Sequence, residues 1–150
     1  MYSDILIPTD GSRAIREAVE HGLNIAEKYN ATVHTLYVVD LRISYHGVFQ
    51  DHLLEKLEKE GEKAVGEIEE RAESRGLKTK KEVVTGIPYE EILDYSENHG
   101  IDMIAMGTHG RTGIGRLIIG STTENVVRHS SVPVMTVRMD KEYGLSSNGV

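Results

Sequence analysis

Five short apolar runs alternate with segments whose apolar residues recur at helical spacing, and that alternation leaves few folds open to the chain. Residues 4–9 carry Ile5, Leu6 and Ile7 and are stopped by Asp10 and Gly11. Residues 31–39, 80–84, 102–106 and 134–138 read the same way, as strands buried on both faces. Between the first two runs, Ile15, Ala18, Val19, Leu23 and Ala26 line one helical face, with Ser12 as the expected N-cap and a stop near Asn30. A long charged helix follows, with Leu54, Leu57, Ala64, Val65, Ile68 and Ala72 on its apolar stripe and an end at Gly76. Its Glu/Lys run from residue 55 to 73 reads as a solvated face with i,i+4 pairs. Pro88 opens a third helix holding Ile92, Leu93 and Tyr95, and Gly100 closes it. Residues 121–129 form the last helix. Strand–helix alternation of this kind gives a parallel sheet with right-handed crossovers.

The predicted fold is therefore α/β: a single domain with an open five-stranded parallel sheet, order 3-2-1-4-5, helices on both faces, and a Rossmann-like site. Residues 2–138 are expected to form the core, and the Gly/Ser/Asn-rich residues 139–150 a frayed tail. At 150 residues the chain has one-domain length. It contains no cysteine, which excludes disulfide scaffolds and thiol chemistry. The first residues run straight into a strand, and no apolar stretch approaches the ~20 residues a bilayer requires. A net charge of −7, one Phe and no Trp argue against a nucleic-acid surface. A cytoplasmic protein without membrane or nucleic-acid partners is expected.

In such a sheet, ligands lie at the carboxyl edge where the winding reverses, here between strands 1 and 4. Those strands end in Thr9-Asp10 and Gly107-Thr108-His109-Gly110. The second ending opens a glycine-rich loop with Arg111, Gly113, Gly115 and Arg116 that leads to Gly120, Ser121 and a helix N-terminus. Glycines allow close backbone approach and φ > 0, and a helix N-terminus favours anions. No Asp or Glu occurs between Met103 and Thr123, although the chain has 24 acids against 17 Lys and Arg. Phosphate binding is the chemistry this segment suits. Neither the P-loop nor the dinucleotide fingerprint fits, since the first lacks its lysine and the second its third glycine.

The seven histidines show no ligand spacing on one element, so solvated or capping roles are expected and no metal site is assigned. His109 is set apart by its place in the loop. Ser12 and Ser121 read as helix caps rather than nucleophiles, and no Gly-x-Ser-x-Gly elbow is present. No residue is assigned a catalytic role.

The segments Pro8-Thr9-Asp10-Gly11-Ser12, Gly86-Ile87-Pro88, Gly107-Thr108-His109-Gly110 and Gly120-Ser121 stand in an order that resembles the universal stress protein family, over about residues 2–138. Two glycines spaced as at Gly107 and Gly110, then nine residues, then Gly120-Ser121, look like the motif of its ATP-binding branch. The resemblance implies ATP at the carboxyl edge, with AMP or ADP as alternatives and Mg²⁺ on the phosphates. Pro8, Thr9 and Asp10 would border the adenosine. Val38 or Val39 would offer a backbone contact to adenine, and Met106 and Gly107 would flank the ribose. Gly110, Gly120, Ser121 and Thr122 would hold the phosphates, with His109 and Arg111 in the same loop. It also implies a homodimer through strand 134–138. Two functions follow: a nucleotide-dependent switch in a stress response with slow or partner-dependent hydrolysis, or an ATP-hydrolysing or phosphate-transferring enzyme with Asp10 and His109 near the phosphates. The switch is favoured, because binding parts are present and no Walker-type acid is visible.

Overall fold

The computed structural model describes residues 1–42, 50–109 and 119–139. Its elements run β1 (Asp4–Thr9), a 3-10 turn (Arg13–Ile15), α1 (Arg16–Tyr29), β2 (Thr32–Asp40) and α2 (Gln50–Glu73). They continue as β3 (Thr79–Gly86), α3 (Pro88–Asn98), β4 (Met103–Gly107), α4 (Ser121–His129) and β5 (Val134–Val137). The sheet order is β3-β2-β1-β4-β5 and every described pairing is parallel. The fold is thus the one the alternation predicts. The expected tail lies outside the described residues, apart from Met139.

Ile5, Leu6 and Ile7 are fully buried, because β1 is the central strand and both its faces are covered. Ile5 and Ile7 face α1, where they meet Val19, Leu23 and Ala26, and the core continues onto Ile68 and Ala72 of α2. Leu6 faces the other way, with Leu36 and Ile104, against Ile92 and Tyr95 of α3 and Val126 of α4. Each such fully buried aliphatic side chain contributes roughly 1.5–3 kcal/mol relative to exposure. Gly61 permits α2 to lie close on β2: a Cβ there would stand 2.6 Å from the Tyr37 ring. Among the described residues, no helix is long and apolar enough to cross a membrane.

Helix starts depart from the expected caps. Ser12 is extended (φ −80°, ψ 163°) and its hydroxyl caps nothing; a 3-10 turn intervenes and α1 begins at Arg16. The cause is local. Asp10 Oδ1 accepts the Ser12 N–H at 2.9 Å, and Gly11 takes φ 78°, so the chain turns around Asp10 instead of entering a helix from Ser12. Ser121 is likewise the first helical residue of α4, and Gly120 occupies the cap. Asn30 does end α1, in the left-handed conformation at φ 52°.

The described ion pairs of α2 reach other elements and do not run along the helix as expected. Arg71 and Arg75 reach Glu20 on α1, Arg75 also reaches Glu27, and Glu69 accepts from Lys81 on β3. Among the described residues the one i,i+4 ion pair is Glu124–Arg128 on α4.

His99 and His129 cap helical carbonyls through Nδ1, as expected. His34 overturns the expectation of a solvated or capping role. It is fully buried on β2, with Nε2 2.8 Å from Asp4 Oδ1 and Nδ1 2.9 Å from the Tyr95 hydroxyl. Burial pushes the Tyr95 phenol up to about 12, which keeps it a donor to Nδ1. Neutral His34 then donates from Nε2 to the Asp4 carboxylate. Burial also lowers the His34 pKa; Asp4 opposes the shift, while Lys80 and His99 add to it. The unfolded chain therefore takes up this proton at higher pH than the folded one, so stability rises with pH through that window. The contribution is complete above the ordinary histidine value near 6.5 and is lost as pH falls below it. Urea midpoints at pH 7.5 and 5.5 should accordingly fall further on acidification for the wild type than for His34→Gln. Parallel falls in the two proteins would remove His34 as the cause.

Candidate functional site

A cleft of about 330 Å³ opens at the carboxyl edge of the sheet, over the ends of β1, β2 and β4. This is the place where the winding reverses, since β1 pairs with β2 on one side and β4 on the other. Pro8, Thr9 and Asp10 reach it from β1, Val38 from β2, and Met106, Gly107 and His109 from β4 and the residues after it. Gly120, Ser121 and Thr122 reach it from the start of α4. These are the residues predicted from sequence, with three exceptions. Val39 buries its side chain on the other sheet face beside Tyr37, Leu57 and Val65, whereas Val38 lines the cleft. Gly110 and Arg111 lie outside the described residues, as do Gly113, Gly115 and Arg116.

Local bonds hold these groups in place. The Thr9 hydroxyl accepts the Gly11 N–H at 3.0 Å, so the turn after β1 is fastened at both Thr9 and Asp10. The two feet of the glycine-rich loop are tied together, because Gly120 N–H donates to the Thr108 carbonyl at 2.7 Å. Thr123 Oγ1 donates to the Gly107 carbonyl at 2.8 Å and fixes α4 over the end of β4. Thr108 N–H donates to the Val137 carbonyl, which joins the same foot to β5. Thr108 Oγ1 stands 3.0 Å from His109 Nδ1. The far nitrogen of His109, Nε2, is buried without a partner among the described residues.

Gly120 brings no side-chain cap to α4, and the first N–H groups of a helix have no intrahelical acceptor. The N–H groups at Ser121, Thr122 and Thr123 thus form an anion-favouring end facing the cleft. One expectation about the glycines needs correction. Neither Gly107 nor Gly120 adopts positive φ. A Cβ on Gly107 would meet the Ala14 carbonyl at an ordinary 3.4 Å, so among the described residues neither backbone strain nor crowding calls for glycine there.

Sequence reasoning missed much of the wall. Leu36, Leu57, Pro88 and Ile92 give it an apolar side, with Asp40 at the last position of β2 and Arg42 two residues on. Pro88 begins α3 directly after β3, so extending the carboxyl-edge rule to every strand end would have found it, and Asp40 and Arg42 with it. Arg42 donates from its backbone N–H and from Nε to Asp40 Oδ1, each at 2.9 Å, and from a terminal nitrogen to Oδ2 at 2.8 Å. These bonds hold the Asp40 carboxyl below its usual range. Glu91 moves the other way: burial and the neighbouring Asp94, Glu90 and Glu82 raise it. The result is a cleft with an apolar middle, a helix N-terminus at one end and an ionised acceptor at the other.

The profile of the universal stress protein family matches residues 1–138. The universal stress protein MJ0531 of Methanocaldococcus jannaschii is 36% identical over 95% of this chain and 85% of its own length. A solved structure of MJ0577 from the same archaeon superposes with a TM-score of 0.85 at 36% identity, covering 93% of this chain and 98% of that one. Two further solved universal stress proteins share the fold at 24% and 16% identity, with TM-scores of 0.67 and 0.66, over 93% and 91% of this chain and 98% of each of theirs. The first is a complex with cAMP and the second, from Archaeoglobus fulgidus, a complex with dAMP. The fold, the motif order and these matches agree: the chain belongs to the universal stress protein family.

Proposed function

We propose that the protein binds ATP in the carboxyl-edge cleft and acts as a nucleotide-dependent switch. The observation that carries this reading is the cleft itself. Its apolar middle, lined by Leu36, Val38, Ile92 and Met106, suits a purine face. Asp10 supplies an acceptor suited to ribose hydroxyls, and the uncapped start of α4 suits phosphates. Other universal stress proteins hold cAMP and dAMP, which are adenine nucleotides. The phosphate end offers hydroxyls from Ser121 and Thr122 and no carboxylate between Met103 and Thr123. A Mg²⁺ ion would therefore arrive on the nucleotide's own oxygens and water, supplying charge neutralisation there.

Glutamate at the first position of α4 separates binding from folding. It suits the helix dipole, worth about 0.3–1 kcal/mol, yet it repels phosphate. By calorimetry, Ser121→Glu should bind ATP roughly ten-fold more weakly, bind adenosine as before, and melt no lower than the wild type. Unchanged ATP affinity would place the phosphates elsewhere. Asp10→Ala should weaken ATP and adenosine alike.

Slow turnover is part of the same reading. Phosphoryl transfer needs a positioned base or water and strong charge stabilisation. Asp10 is engaged by Ser12 N–H, and His109 Nδ1 by Thr108. Hydrolysis by the purified protein should fall well below ~1 s⁻¹, the low end of ordinary enzymes. A faster rate that disappears with His109→Ala would make the chain an ATPase.

The switch needs a surface to act on, and β5 is the candidate, as the homodimer edge. It is an edge strand with no charged residue in Val134–Val137. The carbonyls of Pro133 and Val137 point to β4, so by alternation the N–H groups of Val134 and Thr136 point outward. Met135 packs partly against the α1-side core, so a charge there would unsettle the fold as well as the edge. Thr136 is exposed, and Thr136→Pro removes one outward donor without touching the ladder. Light scattering should give twice the chain mass of 16.7 kDa for the wild type and a monomer for Thr136→Pro. A monomeric wild type at micromolar concentration rules the dimer out.

A further inference from the structure

The Asp40–Arg42 pair at the β2 end of the cleft has no part in the anion-binding end at α4. Asp40 shares its side of β2 with Val38, two residues earlier, and both line the cleft. Beside them stand Pro88 and Ile92 of α3, so the pair borders the apolar middle. The start of α4 lies across β1, on the β4 side of the sheet. A nucleotide with its phosphates at Ser121 directs its base toward β2.

The two partners are not equivalent. The Asp40 side chain is 18% exposed and that of Arg42 is 58% exposed, so the carboxylate is the inner group and the guanidinium the outer one. All three bonds from Arg42 run to that carboxylate, two to Oδ1 and one to Oδ2. A carboxylate has about four acceptor positions, so among the described bonds Oδ2 keeps one in reserve. As a stability element an exposed pair of this kind is worth about 0–1 kcal/mol, too little to explain three bonds converging at a cleft wall. The arrangement suits an ionised acceptor held in one orientation.

The geometry points to Asp40 as the group that selects a 6-aminopurine, with Arg42 as the positioning residue that orients it. This rests on the nucleotide reading above. The 6-amino group of adenine donates hydrogen bonds, whereas the 6-oxygen of guanine only accepts them. A fixed carboxylate therefore attracts the first and repels the second. The repulsion is as much a part of selection as the attraction. Arg42 keeps Asp40 charged and stops it turning out to solvent. Lysine, a single point charge without the planar fork, would do this less well.

Calorimetric titration with ATP, GTP and purine riboside triphosphate, which has no group at position 6, tests the assignment. The wild type should bind ATP at least about ten-fold more tightly than the other two, the scale of one hydrogen bond to a charged group. Asp40→Ala should bind ATP and purine riboside triphosphate equally. Asp40→Asn, which keeps the shape, should narrow the gap between ATP and GTP. Arg42→Met should reduce the ATP preference and Arg42→Lys restore part of it. A wild type that binds ATP without preference, or a preference that survives in Asp40→Ala, overturns the role of Asp40 and leaves ATP binding standing. If Arg42→Met weakens all three ligands by one factor, Arg42 only shapes the wall and its positioning role is lost. Failure of the wild type to bind ATP at all removes the nucleotide reading and this inference with it.

Discussion

Everything at the cleft depends on the parallel pairing of β1 with β2 on one side and β4 on the other. Its register, Asp4 with Thr32 and Ile5 with Met103, is set by burial on both faces. A slip of one residue would carry Ile5 and Ile7 to the α3 side and Leu6 to the α1 side, undoing two cores at once. Because the chain leaves β1 toward one face and β4 toward the other, their ends separate. The gap between Thr9-Asp10 and Gly107 is a consequence of the crossovers rather than of any cleft-forming residue.

The ends of the sheet are treated differently. At the amino edge, Asp102 Oδ2 accepts the N–H groups of Ser3 and Asp4 at 2.8 and 2.9 Å, binding the start of β4 to the start of β1. Asp4 in turn holds His34 of β2, and His34 holds Tyr95 of α3. That chain of bonds, charge-assisted at Asp102 and Asp4, fastens three strands and a helix where no ligand site is proposed. At the carboxyl edge the described polar contacts are short-range: Asp10 to Ser12, Asp40 to Arg42, Thr108 to His109. They orient side chains beside the cleft without bridging it. Longer ties there, Thr123 to Gly107 and Gly120 to Thr108, run behind the cleft between β4 and α4.

What could be read from sequence follows this division. Strand order, the ends of β1 and β4, and the start of α4 were legible, because topology dictates them once the alternation is recognised. Thr9, Asp10, Gly107 and His109 were placed on that ground and Gly120 and Ser121 by the helix start, whereas Pro8, Val38 and Met106 were implied by the family resemblance; all of them line the cleft. The apolar wall was not legible. Whether Leu57 of α2 and Ile92 of α3 rise above the sheet edge depends on how each helix is offset along its strands, and helical periodicity gives only the face. His34 escaped for a similar reason. Alternation assigns it to a side of β2, but its partners are Asp4 and Tyr95, 30 and 61 residues away in the chain. The caps at Ser12 and Ser121 failed by local competition, since the Asp10 turn and the extended Gly120 occupied the geometry first.

Gly107 shows why the composition of the loop carries more than its conformation. With ordinary φ and room for a Cβ at van der Waals distance, the position does not require glycine for the fold. Gly61, by contrast, is demanded by packing, since a Cβ there would stand 2.6 Å from the Tyr37 ring and 3.0 Å from Val83. A glycine that the described packing does not need, at the mouth of a cleft and joined by Thr123 to a helix N-terminus, supports the ligand site proposed above. The same reasoning applies to the gap in acidic residues from Met103 to Thr123 in a chain of net charge −7. Within β4, Met103–Gly107, burial alone explains it, so the argument rests on the residues that follow. Glycine placement and the acid-free start of α4 at Ser121–Thr123 are therefore arguments for the anion site proposed at this edge, and they were available before any geometry.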